Sequence, residues 1–418
     1  FYIMDAVTWK VEKYFKTQDR NEQFASMDIL KFSNDDKRIL AISGIVGLGK
    51  MYDVQSCKVI YKLNGTSTAV SSAKFSPSSG LFVAAYDDMN AKIWSLNSGR
   101  LVGSLRGHTS LMQCVNFSND ASYVVTSSWD KTAKIWDWPN LKVIKTINLP
   151  NNGDCNVELS ADNKKLLACM FMDSTANMYD ATTGNLLYTL HSIEDIKFAT
   201  FSSDAKTIAT ACRDGSISLW NADNGTLLKT LTGHEGIVTC VKFSWNNNYL
   251  ASSSTDSTAK LWNIVTGKCI ATLKGHKGII NYVDMGSAAK YFVTASEDKT
   301  AKIWDATAQK CLFTLEGHTD KITSVDYDKY GKQIITTSAD NTCKLWDAKT
   351  GKLISTFIAI GTTDFITMAA DGYYQSSPNA AKLLYYVTKD LKTISFDQLD
   401  LKYNRPDKIL QLMGNTDT

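Results

Sequence analysis

Hydrophobic and polar positions along this chain recur in blocks of about forty residues, and each block is built like a set of short strands. Residues 234–275 show the pattern. Ile237-Val238-Thr239-Cys240-Val241-Lys242-Phe243 is β-branched and mostly apolar, as a strand buried on both faces should be. Asn246-Asn247-Asn248 then turns the chain, and Tyr249 to Ser254 reads as a second strand. After Asp256-Ser257, the run Thr258-Ala259-Lys260-Leu261-Trp262 alternates small or polar with apolar residues. Thr266-Gly267 makes a third turn before Cys269-Ile270-Ala271-Thr272-Leu273. Turn signals interrupt every stretch long enough for a helix of about ten residues, so a helical repeat does not fit.

The block recurs. An aromatic flanked by an apolar residue and by Asp, Asn or Ser stands at Tyr52, Trp94, Trp136, Tyr179, Trp220, Trp262, Trp304 and Trp346, in steps of 42, 42, 43, 41, 42, 42 and 42. Gly-His keeps the same period at 107–108, 233–234, 275–276 and 317–318, with Leu190-His191 and Gly65-Thr66 as degenerate copies. So does Phe-Ser at 75–76, 117–118, 201–202 and 243–244. A small four-stranded sheet cannot bury both faces alone, whereas copies stacked around an axis bury face against face and protect their edges. The expected fold is therefore all-β: a β-propeller of eight or nine four-stranded antiparallel blades with a short C-terminal capping tail. Eight full repeats span 24–357. Residues 1–17 and 363–377 are expected to join as one composite closing blade, giving a propeller over 1–377; if the opening residues belong to a preceding propeller, the count is eight.

Gly-His, about 26 residues, then apolar-Trp-Asp at a 42-residue step resembles the WD-repeat family over essentially 24–357. That resemblance implies a hydrogen-bonded tetrad in each blade: the His, a Ser or Thr ending the second strand, an Asp in the next turn, and the Trp. Buried between sheets, these polar groups must satisfy one another. Four repeats supply such sets: His108, Ser128, Asp130 and Trp136; His234, Ser254, Asp256 and Trp262; His276, Ser296, Asp298 and Trp304; His318, Ser338, Asp340 and Trp346. The repeat with His191 has Cys212 in the Ser place, and those ending at Tyr179 and Trp94 have Phe171 and Tyr86 there, so looser blades are expected. A His-Asp-Ser trio repeated in four copies is explained by structure, not by one active site.

The resemblance also implies protein or peptide partners, held through the loop after Gly-His, the start of the first strand and the residue before the tetrad Asp. Here those positions include Gln113, Trp129, Asp195, Lys197, Arg213, Asn281, Glu297 and Lys321. Trp129 and Arg213 lead, because Trp and Arg dominate interface hot spots. Residues 378–418 leave the repeat. Asp371-Gly372-Tyr373-Tyr374, Ser377-Pro378, Phe396-Asp397-Gln398-Leu399 and Tyr403-Asn404-Arg405-Pro406-Asp407 are similar to the segment that follows WD repeats in microbial proteins carrying a caspase-like peptidase domain. Read locally, 397–401 and 408–413 are short helical turns capping the ring, with Pro406 starting the second.

Composition narrows the rest. With 45 basic and 42 acidic residues the chain has no basic excess of the kind a dedicated nucleic-acid binder shows, and no polybasic patch for a membrane. The nine cysteines form no CxxC pair and fit free, buried thiols in a reducing, cytoplasmic setting, with no metal site. No catalytic motif stands out and no cofactor is expected. Gly44 to Lys50 has the spacing of a phosphate loop, but Met51 replaces its Ser or Thr and no helix follows, so it reads as a hairpin turn. The sequence opens on Phe1 in mid-strand and is expected to be a piece of a larger, multidomain chain or complex. The expected role is a non-catalytic scaffold, with a regulatory arm of a caspase-like peptidase as the alternative.

Overall fold

The computed structural model describes residues 70–380 and 403–413 except 78–79, 151–154, 171–172, 287–289, 329, 361–362 and 379. It also describes the strand backbones at 2–4, 11–14, 29–32, 38–43, 48–53, 59–64, 385–387 and 393–395. Between 70 and 360 lie seven four-stranded antiparallel units. Blade 1 is Val70–Phe75, Leu81–Tyr86, Asn90–Ser95 and Leu101–Arg106; blade 2 is Met112–Phe117, Tyr123–Ser128, Thr132–Asp137 and Lys142–Asn148. Blades 3 and 4 share the sixteen-residue strand Leu186–Phe201. Blade 3 precedes it with Cys155–Leu159, Lys165–Met170 and Asp173–Asp180, and blade 4 follows it with Thr207–Cys212, Ile217–Asn221 and Leu227–Leu231. Blade 5 is Val238–Phe243, Tyr249–Ser254, Thr258–Asn263 and Cys269–Lys274; blade 6 is Ile280–Met285, Tyr291–Ser296, Ala301–Asp305 and Lys310–Leu315. Blade 7 is Ile322–Tyr327, Gln333–Ser338, Cys343–Asp347 and Leu353–Ile360.

The first strand of each blade packs against the first strand of the next, and that of blade 7 packs against that of blade 1. The described ring therefore closes with seven blades, not the expected eight or nine. The seam shows why. Lys74 Nζ meets Asp326 Oδ1 at 2.8 Å, the Phe75 amide donates to Asp326 Oδ2 at 2.9 Å, and Thr323 Oγ1 donates to the Val70 carbonyl at 3.2 Å. Val70, Phe82 and Trp94 share one core with Ile335, Leu345 and Phe357. Contacts this close leave no gap for another blade. The repeat before Val70 forms its own sheet of Ile29–Phe32, Arg38–Ser43, Leu48–Asp53 and Val59–Asn64.

Nor do the described residues form the expected composite blade. Tyr2–Met4 pairs only with Val11–Tyr14, while Asp364–Ala369 and Tyr374–Ser376 extend blade 7 beyond Leu353–Ile360. Thr367 Oγ1 donates to the Gly99 carbonyl at 2.7 Å and Gln375 Nε2 to the Ser98 carbonyl at 3.1 Å, which carries this extension across to blade 1. Helix α1 (Pro406–Leu412) begins at Pro406, whose missing N–H is an orphan at that position anyway. Its Ile409 and the following Met413 are buried in the blade 1–blade 7 core, against Gly99, where a Cβ would stand 3.1 Å from Ile409. The expected helical turn at 397–401 lies outside the described residues.

The Gly-His signal has a direct conformational cause. Gly107, Gly233, Gly275 and Gly317 adopt φ between +139° and +153°, and a Cβ on each would touch the blade's indole at 3.2–3.7 Å. The chain breaks there between one blade's outer strand and the next blade's first. Leu190 replaces the glycine at the degenerate copy, and the strand runs on without a break, fusing blades 3 and 4 into one seven-stranded sheet.

Candidate functional site

Each complete blade carries a linear hydrogen-bond chain. In blade 2, Trp136 Nε1 donates to Thr126 Oγ1 at 2.8 Å, Thr126 Oγ1 meets His108 Nε2 at 2.8 Å, and His108 Nδ1 meets Asp130 Oδ2 at 2.8 Å. Blade 5 repeats it with Trp262, Ser252, His234 and Asp256, blade 6 with Trp304, Thr294, His276 and Asp298, and blade 7 with Trp346, Thr336, His318 and Asp340. The partners fix the proton order: the indole donates to the hydroxyl, the hydroxyl to Nε2, and Nδ1–H to the carboxylate. A hydroxyl is required in the middle because it alone both accepts and donates.

These chains run through the His, Asp and Trp named from the sequence, but through a different hydroxyl. Ser128, Ser254, Ser296 and Ser338 stand two residues further along the second strand. Each caps the following turn, its Oγ accepting from the amide of the tetrad Asp at 3.1 Å. Strand register decides the matter: Val124 lies opposite Trp136 and Thr126 opposite Lys134, so Thr126 is the hydroxyl the indole reaches, while Ser128 lies opposite Thr132 at the strand end. The same shift applies to blade 4, where Trp220 Nε1 donates to Thr210 Oγ1 at 2.9 Å and Cys212 Sγ lies 3.9 Å from that hydroxyl. Its His191 is exposed. Blade 1 has Ala84 at the hydroxyl position, and Trp94 Nε1 is buried without an acceptor among the described residues. There Lys92, fully buried, reaches Asp88 at 2.6 Å and lies 4.1 Å from the Tyr86 ring centroid.

Burial lowers the pKa of all four tetrad histidines, outweighing their Asp partners, so the imidazoles are neutral as the proton order demands. Burial alone would raise the aspartates, but hydrogen bonds from Thr hydroxyls, loop amides and His bring Asp256, Asp298 and Asp340 down to about 2. With the His side chains fully buried, these sets hold sheets together and offer no access to a substrate.

A second constellation escaped the sequence reading. The first strands carry Lys74, Asn116, Glu158, Thr200, Lys242, Asp284 and Asp326, one per blade and 42 residues apart. Four of them pin the next blade's backbone. Asn116 Nδ2 donates to the Val157 carbonyl at 2.6 Å, and Glu158, Asp284 and Asp326 accept from the amides of Phe201, Tyr327 and Phe75 at 3.4, 2.8 and 2.9 Å. Burial, then Asp326, pushes the Asp284 carboxyl up to about 6. The period itself was the signal, masked because isolated charges in an apolar strand look like solvated positions.

Of the expected partner-binding residues, Trp129, Arg213 and Glu297 stand just before the turn Asp of blades 2, 4 and 6. The amides of Trp129, Arg213, Thr255, Glu297 and Ala339, each just before its turn Asp, donate to the carbonyls of Leu111, Asp195, Ile237, Ile279 and Lys321 at 2.9–3.0 Å. This recurring bond locks the second-strand loop beside the first-strand loop in blades 2, 4, 5, 6 and 7. Trp129 is 47% exposed, and Glu297, Lys321 and Arg213 are also exposed, with Arg213 Nη1 held 3.2 Å from Asp195 Oδ2. Gln113 and Lys197 line a cavity of about 210 Å³ at the ring centre with Asn156, Phe198, Tyr282 and Thr323. Asn281 is turned inward, its Nδ2 donating to the Ile322 carbonyl at 2.9 Å. Of the cysteines described, Cys114, Cys169, Cys212, Cys240 and Cys343 are buried free thiols, but Cys269 and Cys311, on outer strands, are exposed rather than buried as expected.

Comparison with known proteins agrees with this geometry. The model of the WD domain, G-beta repeat, matches residues 57–95, 99–137, 184–221, 225–263, 267–305 and 309–347, together more than half of the chain. The skipped stretch holds blade 3, whose Ala168 leaves no tetrad hydroxyl beside Tyr179. WD repeat-containing protein 82 of Drosophila melanogaster is 32% identical over 107 residues, 24% of this chain and 33% of that protein. Autophagy-related protein 16 of Arabidopsis thaliana is 28% identical over 94 residues, 22% of this chain and 18% of that protein. The periodic tryptophan protein 2 homolog of Dictyostelium discoideum is 48% identical over 44 residues, 10% of this chain and 5% of that protein. The chain thus spans a third or less of the length of these relatives. With six matched repeats and tetrads formed in four blades, the chain belongs to the WD-repeat family.

Proposed function

We propose that this protein is a non-catalytic scaffold that holds protein or peptide partners on the loop face around the channel mouth. The observation that carries this reading is the exposed indole of Trp129 on a loop locked by its own backbone hydrogen bond. A large exposed side chain on a loop whose backbone is already fixed spares a partner the entropy of ordering that loop. Arg213, oriented by Asp195, adds a donor on the same face, with Glu297 and Lys321 on neighbouring loops and Gln113 and Lys197 at the central cavity. The scaffold reading places the chain in a reducing compartment such as the cytoplasm, and it accommodates a regulatory place beside a caspase-like peptidase domain in a longer chain.

The test is capture of native partners on the immobilised chain, identified by mass spectrometry, with Trp129→Ala and Arg213→Ala compared against the parent. Loss of the same partners from both variants, with unchanged circular dichroism, supports the reading. Full retention by both refutes the assignment of this face.

A further inference from the structure

A cavity of about 630 Å³ lies between blades 6 and 7 at the end of the strands away from the loop face. A smaller groove with equivalent lining lies between blades 5 and 6, and two residues set the blade 6–blade 7 groove apart from it. After blades 2, 3 and 4 a polar side chain crosses to the next blade's turn: Lys145 Nζ donates to the Thr183 carbonyl at 3.3 Å, Tyr188 Oη to the Ala222 carbonyl at 2.5 Å, and Lys229 Nζ to the Val265 carbonyl at 2.7 Å, whereas blades 1 and 5 have Gly103 and Ala271 at this position. Blade 6 has Phe313 at the repeat position of Lys145 and Lys229. Phe313 packs against Gly351 of blade 7, where a Cβ would stand 2.8 Å from Phe313 Cβ, so the crossing contact here is apolar. On the inner side, Gly286 stands where Ser118, Ser160, Ser202 and Ser244 bond the Asp or Asn two residues on at 2.6–2.8 Å. A Cβ there would touch the Tyr291 carbonyl at 3.4 Å and the Tyr327 ring at 3.9 Å, so a side chain at 286 would be directed at the Tyr327 wall of the groove.

The open groove is walled by Phe313, Tyr327 and Tyr291, with Leu312 and Tyr330 exposed at its lip. Its rim is basic. Lys332 and Lys349 are exposed and pair with no described carboxylate. The one carboxylate in the lining, Asp347, is taken by its own turn, accepting from the Thr350 amide and hydroxyl at 2.7 Å each. An aromatic slot of this volume with unpaired ammonium groups at its mouth selects an apolar anchor carried between negative charges. We infer that this groove docks a short acidic peptide segment of a partner, which buries one large apolar side chain against Phe313 and Tyr327. This site is separate from the loop face and does not rest on it.

The test uses the whole chain and a fluorescein-labelled octapeptide with one central tryptophan flanked by glutamates, followed by fluorescence anisotropy. Saturable binding is expected, weakened about tenfold by Phe313→Lys, which restores the crossing lysine, and equally by Gly286→Leu, which fills the slot from the opposite wall. The double change Lys332→Glu, Lys349→Glu and a glutamine-flanked peptide should each weaken it about fivefold or more, and raised salt should do the same. Trp129→Ala should leave it unchanged. No saturable binding of the peptide, full binding by the folded Gly286→Leu chain, or loss of binding in Trp129→Ala would each overturn the assignment.

Discussion

Replacing Thr294 by Val tests the hydrogen-bond chain at its central link. Val keeps the volume and β-branching of Thr and removes only the hydroxyl, so packing changes little. Thr294 Oγ1 holds two buried groups: it accepts from Trp304 Nε1 at 2.8 Å and meets His276 Nε2 at 2.7 Å. Trp304 is 1% exposed and the His276 side chain is fully buried, so water cannot replace the lost partner. A buried group left without its bond is unfavourable by roughly 1–3 kcal/mol, which for two groups gives a loss of about 2–4 kcal/mol after partial relaxation. Thr294→Ser keeps the bonds, as Ser252 does in blade 5, and should stay within about 1 kcal/mol of the parent. Ser296→Ala removes only a 3.3 Å bond to the Gly278 carbonyl and a 3.1 Å cap of the Asp298 amide, about 0.5–1.5 kcal/mol. Urea unfolding of the whole chain, followed by tryptophan fluorescence and far-UV circular dichroism, ranks the three. A Ser296→Ala chain as unstable as, or less stable than, Thr294→Val would refute the placement of the hydroxyl. The molecule already contains the comparison: blade 1 has Ala84 at this position, and Trp94 Nε1 goes without an acceptor among the described residues.

Three further outcomes follow from the same geometry. The tetrad histidines titrate below their ordinary range in the folded chain, so the unfolded chain takes up protons first as pH falls through about 6.5; urea midpoints should fall from pH 7 to 5, and again from about pH 4 to 2 as Asp256, Asp298 and Asp340 protonate. Asp284 runs the other way: with its folded pKa raised to about 6, the folded chain binds the proton more tightly, so Asp284→Asn should raise stability most at pH 7–8 and steepen the decline towards pH 5. Denaturation curves with a flat pH dependence, or an Asp284→Asn chain destabilised at pH 8 and not at pH 5, would contradict these signs. Ile409→Asp places a charge in the core between blades 1 and 7 and should remove about 3 kcal/mol or more, read as a lowered melting midpoint and faster amide exchange in Leu353–Ile360; an unchanged midpoint would mean the tail does not fasten the seam.

What the sequence disclosed and what it withheld divide along the range of the interactions involved. Strands, turns and the period are local: Val238 to Phe243 alternates towards two buried faces within six residues, and the Gly-His glycine is demanded by its own φ and by an indole in the adjoining blade. Three tetrad members were therefore legible by type and spacing. The hydroxyl was not, because Thr126 and Ser128 share a strand face and the choice between them depends on which residue lies opposite Trp136 in the pleated pair. The number of blades is less local still. Eight equal repeats say that sheets stack, but which two meet last is decided by Lys74 finding Asp326, two side chains 252 residues apart, and by Phe357 packing edge-on against Phe82 and Trp94. Both ends of that pair were printed in the period, since 74 and 326 occupy the same repeat position. Lys74 and Asp326, at equivalent positions of the first and last blades, become neighbours only when the circle is complete, so their opposite charges favour closure at this seam. The charged residues that break these apolar strands at a constant register thus carry closure information that the apolar residues, similar in character from blade to blade, do not.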